Sequence, residues 1–168
     1  MFSIDRLDVD LLEMLARDAR VGVVELASRL GISRNTVQSR LKRLEESGLL
    51  AGYRPELDLA QAGIATQAFL GLEVQQGRLG SIVEALIGIP QVLEIHATTG
   101  REDLLVRVAT ETQAGLQQLI EQVVAIPGVV HSTTTLALTT PLTFRPMPLL
   151  KNMTRNAGWG RSTPTPKE

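Results

Sequence analysis

The sequence predicts an α+β protein: an N-terminal helix-turn-helix unit of the winged type, followed by a βαββαβ sheet domain. Three observations predict it. Apolar residues recur at helical spacing through the first fifty positions, and this period stops after Tyr53. An internal repeat, offset by 37 residues, sets Leu79, Ile82, Val83, Leu86 and Ile87 against Leu116, Leu119, Ile120, Val123 and Val124. Finally, the net charge changes sign along the chain, from +1 over residues 1–54 to −6 over 55–140 and +4 over 141–168, and such changes mark boundaries.

At 168 residues the chain accommodates two small domains. The boundaries drawn from these features are 1–54 for the helix-turn-helix unit, 55–65 for a linker, 66–140 for the sheet domain and 141–168 for a basic, proline-containing tail. With no cysteine, a disulfide framework and thiolate chemistry are excluded and an intracellular protein is the default. The acidic start, MFSIDRLDVD, does not read as a signal peptide. Apolar runs stay well short of the roughly 18 residues that span a bilayer. A cytoplasmic protein with no membrane partner is expected.

In the first helix Leu7, Leu11, Met14 and Leu15 share one face behind Asp5 and Asp8, acids that favour a helix amino terminus. The second carries Val23, Leu26, Ala27 and Leu30 on one stripe and stops at Gly31. Ser33 then caps a third helix, whose apolar stripe is Val37, Leu41 and Leu44 and whose stop is Gly48. At about 100° per residue, Asn35, Ser39 and Lys42 point away from that stripe, with Gln38 and Arg43 on its shoulders. The resulting face, from Ser33 and Arg34 to Arg43, is polar and basic. In a DNA major groove Asn35, Gln38 and Ser39 would read bases while Arg40, Lys42 and Arg43 hold phosphates. Any three-helix bundle also presents a polar solvated face, so both readings stand on composition alone.

After the linker PELDLAQAG, strands are expected near 66–74, 92–98, 104–109 and 129–139, with a helix ended by Ile-Pro in each copy of the repeat. This order gives a ferredoxin-like arrangement, one closed domain rather than a solenoid. Both helices cover one sheet face, yet Phe69 and Leu105 alternate with the core residues and make the second face apolar too. A homodimer, extending to a tetramer or octamer, would cover it.

The runs LDVDLL, Asp18-Ala19-Arg20, Glu25-Leu26-Ala27, Gly31-Ile32-Ser33 and VQSRLKRLEESG, in this order, resemble the DNA-binding half of the leucine-responsive regulator (Lrp/AsnC) family. Val23 departs from that pattern, standing where the family often has a Ser that caps helix two. The turn Gly100-Arg101-Glu102-Asp103 resembles the family's Gly-x-x-Asp turn, and Thr134 matches a frequent family Thr on the last strand. Leu104 departs again, where many members have an aromatic residue. The resemblance implies a sequence-specific regulator that binds double-stranded DNA and responds to an amino-acid-like effector. Thr98, Thr99, Gly100, Asp103 and Thr134 would form the effector site, with Asp103 receiving an ammonium group. An ordinary hairpin with threonines as good strand formers is the plainer reading of that segment.

No enzyme, cofactor or metal is expected. His96 and His131 lack neighbouring ligands for zinc, and neither a nucleophile elbow nor a phosphate-binding P-loop is present. The rival functional readings are a siroheme-decarboxylase-like enzyme, similar to these regulators in both halves, and an interaction module without DNA binding. The tail, holding five of the eight prolines, is expected to lack stable folding beyond Asn152, with Trp159 as its one potential anchor.

Overall fold

The computed structural model describes residues 3–159. The chain forms two compact units, one from residues 1–56 together with 143–168 and the other from 57–142.

In the first unit, α1 (Arg6–Arg17) begins at Asp5, whose carboxylate accepts from the Asp8 N–H at 3.0 Å while the Asp8 carboxylate accepts from the Asp5 N–H at 3.0 Å. This reciprocal cap satisfies two otherwise orphaned donors. Helix α2 (Val23–Leu30) has Gly22 as its N-cap, without a side-chain bond. The missing cap therefore sits at Gly22, and Val23, the position expected to lack it, is the first helical residue. Gly31, at φ 65°, closes α2 in the left-handed region that a side chain would disfavour. Helix α3 (Arg34–Glu46) starts at Ser33, whose hydroxyl accepts from the Thr36 N–H at 3.1 Å.

Leu7, Leu11, Leu15, Leu26, Ala27 and Val37 pack into one core, and Trp159 joins them at 8% exposure. The expectation of an unfolded tail beyond Asn152 is corrected here. Met147–Met153 form a helix, α6, whose Lys151 pairs with Glu13 at 2.7 Å, and Thr154 is buried with its hydroxyl donating to the Leu150 carbonyl. The proline-rich composition concealed two facts. Pro146 and Pro148 stand at a helix start, where a missing N–H costs nothing, and a single indole buries enough area to hold a short segment. Residues 160–168 lie outside the described residues.

The second unit is a four-stranded antiparallel sheet in the order β2-β3-β1-β4, with β1 Thr66–Val74, β2 Val92–Ala97, β3 Leu104–Thr110 and β4 Val129–Ala137. Two helices, α4 (Leu79–Ile87) after β1 and α5 (Gln113–Val124) after β3, complete βαββαβ. The strands agree with expectation to within two residues. Ala68, Leu70, Leu72, Leu104, Val106 and Val108 form a buried core with Ile82, Leu86, Leu116 and Leu119 of the helices. Phe69, Gly71 and Leu105 alternate with them and therefore face the other side, which neither helix of this unit covers.

Candidate nucleic-acid interface and effector loop

Helix α3 divides its polar residues by role. Arg34, Asn35, Gln38, Ser39 and Lys42 are exposed. Of these, only Lys42 has a side-chain partner among the described residues, Glu46 one turn on at 3.7 Å, an exposed pair worth little. Ser33 keeps its hydroxyl on the Thr36 backbone and hydroxyl, so it shapes the entry to the helix.

Arg40 and Arg43 turn the other way. Their expected role is to hold phosphates; in the fold Arg40 donates to Asp5 and, at 3.0 Å, to Asp8, while Arg43 pairs with Asp8 and donates to the Ser3 carbonyl at 3.2 Å. Arg40 is only 18% exposed and Asp8 is fully buried. Burial pushes the Asp8 carboxyl up, but hydrogen bonds from Arg43, the Asp5 backbone and Arg40 outweigh it and hold the group below the usual carboxylate range. Both guanidinium groups thereby fix the angle of α3 on α1, and charge-assisted bonds of this kind are directional. The signal was present in the sequence. Val37, Arg40 and Leu44 fall at i, i+3, i+7, which places Arg40 within the buried stripe.

Arg34, Asn35, Gln38, Ser39 and Lys42 together form an exposed polar row. Its neutral amides suit adenine edges, and its two cations suit a guanine edge or phosphate.

In the second unit the loop between β2 and β3 is tied down by its own residues. The Thr98 N–H donates to the Asp103 carbonyl at 2.9 Å, and the Asp103 N–H donates to the Leu72 carbonyl at 2.8 Å. The Thr98 hydroxyl donates to the Glu102 carbonyl. The Asp103 carboxylate accepts from the Val74 N–H at 2.8 Å, beside the register shift of β1 against β4 between Glu73 and Val74. Asp103 thus closes the end of β1 while its side chain stays exposed. Gly100 adopts φ 125°, which a side chain rarely permits.

Four of the five sequence-predicted effector residues, Thr98, Thr99, Gly100 and Asp103, lie together in this loop. Thr134 is separate. It pairs with Leu70 and so belongs to the helix-covered side of the sheet, where it is exposed on the edge strand. Sequence reasoning missed Glu102, whose side chain crosses Gly71 on the uncovered side: a Cβ on Gly71 would lie 2.7 Å from Glu102 Cγ. A cavity of about 520 Å³ at the other end of the β2–β3 hairpin, between Gln91, Thr110 and Gln122, is lined by none of the loop residues.

Comparison with known proteins places both units. The Lrp/AsnC ligand binding domain matches residues 67–147, and a winged helix-turn-helix DNA-binding domain matches residues 4–51. The proline dehydrogenase transcriptional activator of Rhizobium radiobacter is 30% identical over 136 residues, spanning 79% of this chain and 87% of the relative. The solved structure of AsnC from E. coli superposes with a TM-score of 0.82 at 27% identity, covering 88% of this chain and all of that one (100%). A transcriptional regulator of Neisseria meningitidis solved as an L-Met complex shares the fold, with a TM-score of 0.79 at 22% identity over 84% of this chain and 94% of its own. The helix-turn-helix unit, the βαββαβ sheet and these matches agree: the chain belongs to the Lrp/AsnC family of helix-turn-helix transcriptional regulators.

Proposed function

We propose that the protein is a cytoplasmic regulator that works by binding alone, reading duplex DNA with α3 and switching on an amino-acid-like effector. The observation that carries this reading is the division of α3. Arg34, Asn35, Gln38, Ser39 and Lys42 stay exposed while Arg40 and Arg43 spend their charge on holding the helix. Base choice falls to Asn35, Gln38 and Ser39, and phosphate contact to Arg34 and Lys42.

The uncovered sheet face, with Phe69 and Leu105 on it, supports a two-fold homodimer that presents two reading helices to a palindromic site, with tetramers or octamers built from such dimers. At the Thr98–Asp103 loop the exposed Asp103 carboxylate suits an ammonium and the Gly100 backbone a carboxylate, chemistry that an amino acid combines. The L-Met bound by the Neisseria regulator belongs to this ligand class. An effector acts only by binding one assembly better than another.

A titration of DNA flanking the protein's own gene, over a salt series and then with a panel of amino acids, tests the reading. Sequence-selective binding that weakens with salt is expected, and an amino acid should shift its midpoint. Salt-independent or unselective binding in every condition would refute it. Spectral titration with a tetrapyrrole should show no complex.

A further inference from the structure

The last described residues, Met147–Trp159, form a strap, all of it after Met147 lying beyond the matched family regions, which end at residue 147. They dock on the helix-turn-helix unit at three points. Lys151 pairs with Glu13 near the end of α1 at 2.7 Å. The Gly158 carbonyl accepts from the Arg6 N–H, at the first residue of α1, at 3.4 Å. Trp159 enters the core between α1, α2 and Val37 of α3.

The second and third points matter most. The Arg6 N–H is one of the donors that a helix start leaves without an internal partner, and the strap supplies the acceptor. Arg6 lies between Asp5 and Asp8, the two acids that grip Arg40 and Arg43 of α3. A single turn of α1 is therefore held by the strap on its backbone and by the reading helix on its side chains. Trp159 also touches the apolar cluster that contains Val37, so the strap reaches α3 through packing as well as through the acids.

We propose that the strap sets the angle of the reading helix, with Trp159 as a positioning residue for DNA recognition. The strap makes no base contact in this scheme. It fixes the first turn of α1, and α1 fixes α3. A loosened strap leaves three helices and a polar face that still meets phosphates, but the face no longer registers with base edges.

The inference rests on the DNA-reading role of α3, and its test separates the two. The wild-type chain, Trp159→Ala, Trp159→Phe and Lys151→Met are compared for affinity to the gene-flanking duplex and to a random duplex, over the same salt series. Trp159→Ala should lose at least about tenfold on the specific duplex while its random-duplex affinity and salt slope stay within about twofold. Trp159→Phe should recover most of the loss, and Lys151→Met should fall between. In the wild type Trp159 is the sole tryptophan, so its emission should resist iodide quenching.

Specific affinity unchanged in Trp159→Ala would overturn the proposal, as would free quenching of the wild-type indole. Loss of both affinities together with helical circular dichroism would also overturn it, because the strap would then be needed for folding rather than for aim. Failure of the wild type to select any duplex would instead refute the reading function, a result distinct from all of these.

Discussion

Arg40 of the reading helix and Asp8 of α1, 32 positions apart, meet at 3.0 Å with the aspartate fully buried. The pair converts what resembles a DNA-binding cation into a hinge pin. Asp8→Asn should cost unit 1 about 3 to 5 kcal/mol, since breaking a buried pair leaves charge uncompensated. Urea unfolding followed by Trp159 fluorescence reads this directly. Arg40→Met, which keeps the stem, should weaken specific DNA binding while leaving the salt slope alone.

The outward cations should behave oppositely. Arg34→Ala and Lys42→Ala should each lower the slope of log K against log salt by about 1 and weaken all duplexes alike. Asn35→Ala or Gln38→Ala should relax base preference, with about 1 to 3 kcal/mol lost on the preferred duplex where a bidentate contact is removed. A salt series on both duplexes distinguishes the two classes.

Two aspartates of α1 give unit 1 opposed pH dependences. The Asp8 carboxyl is held below its usual range, so its stabilisation is present above the unfolded value, near pH 4, and is lost as pH falls through the lower folded value. Asp10 is raised, chiefly by burial, against the pull of Arg6, Trp159 and Lys151 and with a push from Glu13. Its contribution is full below the unfolded value and disappears as pH rises through the folded one. Asp10→Asn should therefore raise the melting temperature at neutral pH and do little at pH 3, whereas Asp8→Asn should flatten the acid limb. Melting curves from pH 2 to 8 check both.

In the effector loop, Asp103→Asn keeps an oxygen for the Val74 N–H and should preserve the sheet while weakening any ligand that brings an ammonium. Asp103→Ala should lose the response and loosen the end of β1. Gly71→Ala should displace the Glu102 side chain from the uncovered face, and loop amide shifts in NMR spectra with unchanged DNA affinity would confirm that the disturbance stays local. Isothermal titration with the amino-acid panel ranks the three.

The periodic parts of this chain were legible. The apolar stripes of α1 to α3 and the duplicated helix-and-exit pattern are governed by local spacing, and the structure follows them within a residue or two. Roles that depend on long-range partners were harder to read. Arg40 and Arg43 look alike as cations on their own helix, and only Asp5 and Asp8, more than thirty positions away, tie Arg40 down half-buried and draw Arg43 against α1. Thr134 sits in a run of three consecutive threonines, and only the pairing register with Leu70 assigns its face. Trp159 has no local period at all; its place comes from a gap in a core built by residues 7 to 37.

The sheet register has one further consequence. Because Gln67 pairs with Ala137, the strands by which the chain enters and leaves the second unit run side by side. The strap that follows must return to the first unit, so docking Trp159 closes a loop that contains the whole sheet domain. While that domain is folded, its own hydrogen bonds hold the loop ends together. Once it unfolds, the strap must close a long flexible chain, a cost that grows by about 0.6 kcal/mol with each doubling of length. The folded sheet thus acts on the reading unit as a cross-link would, by removing entropy from the undocked strap. Melting the sheet domain should loosen the strap even with every contact in the reading unit intact.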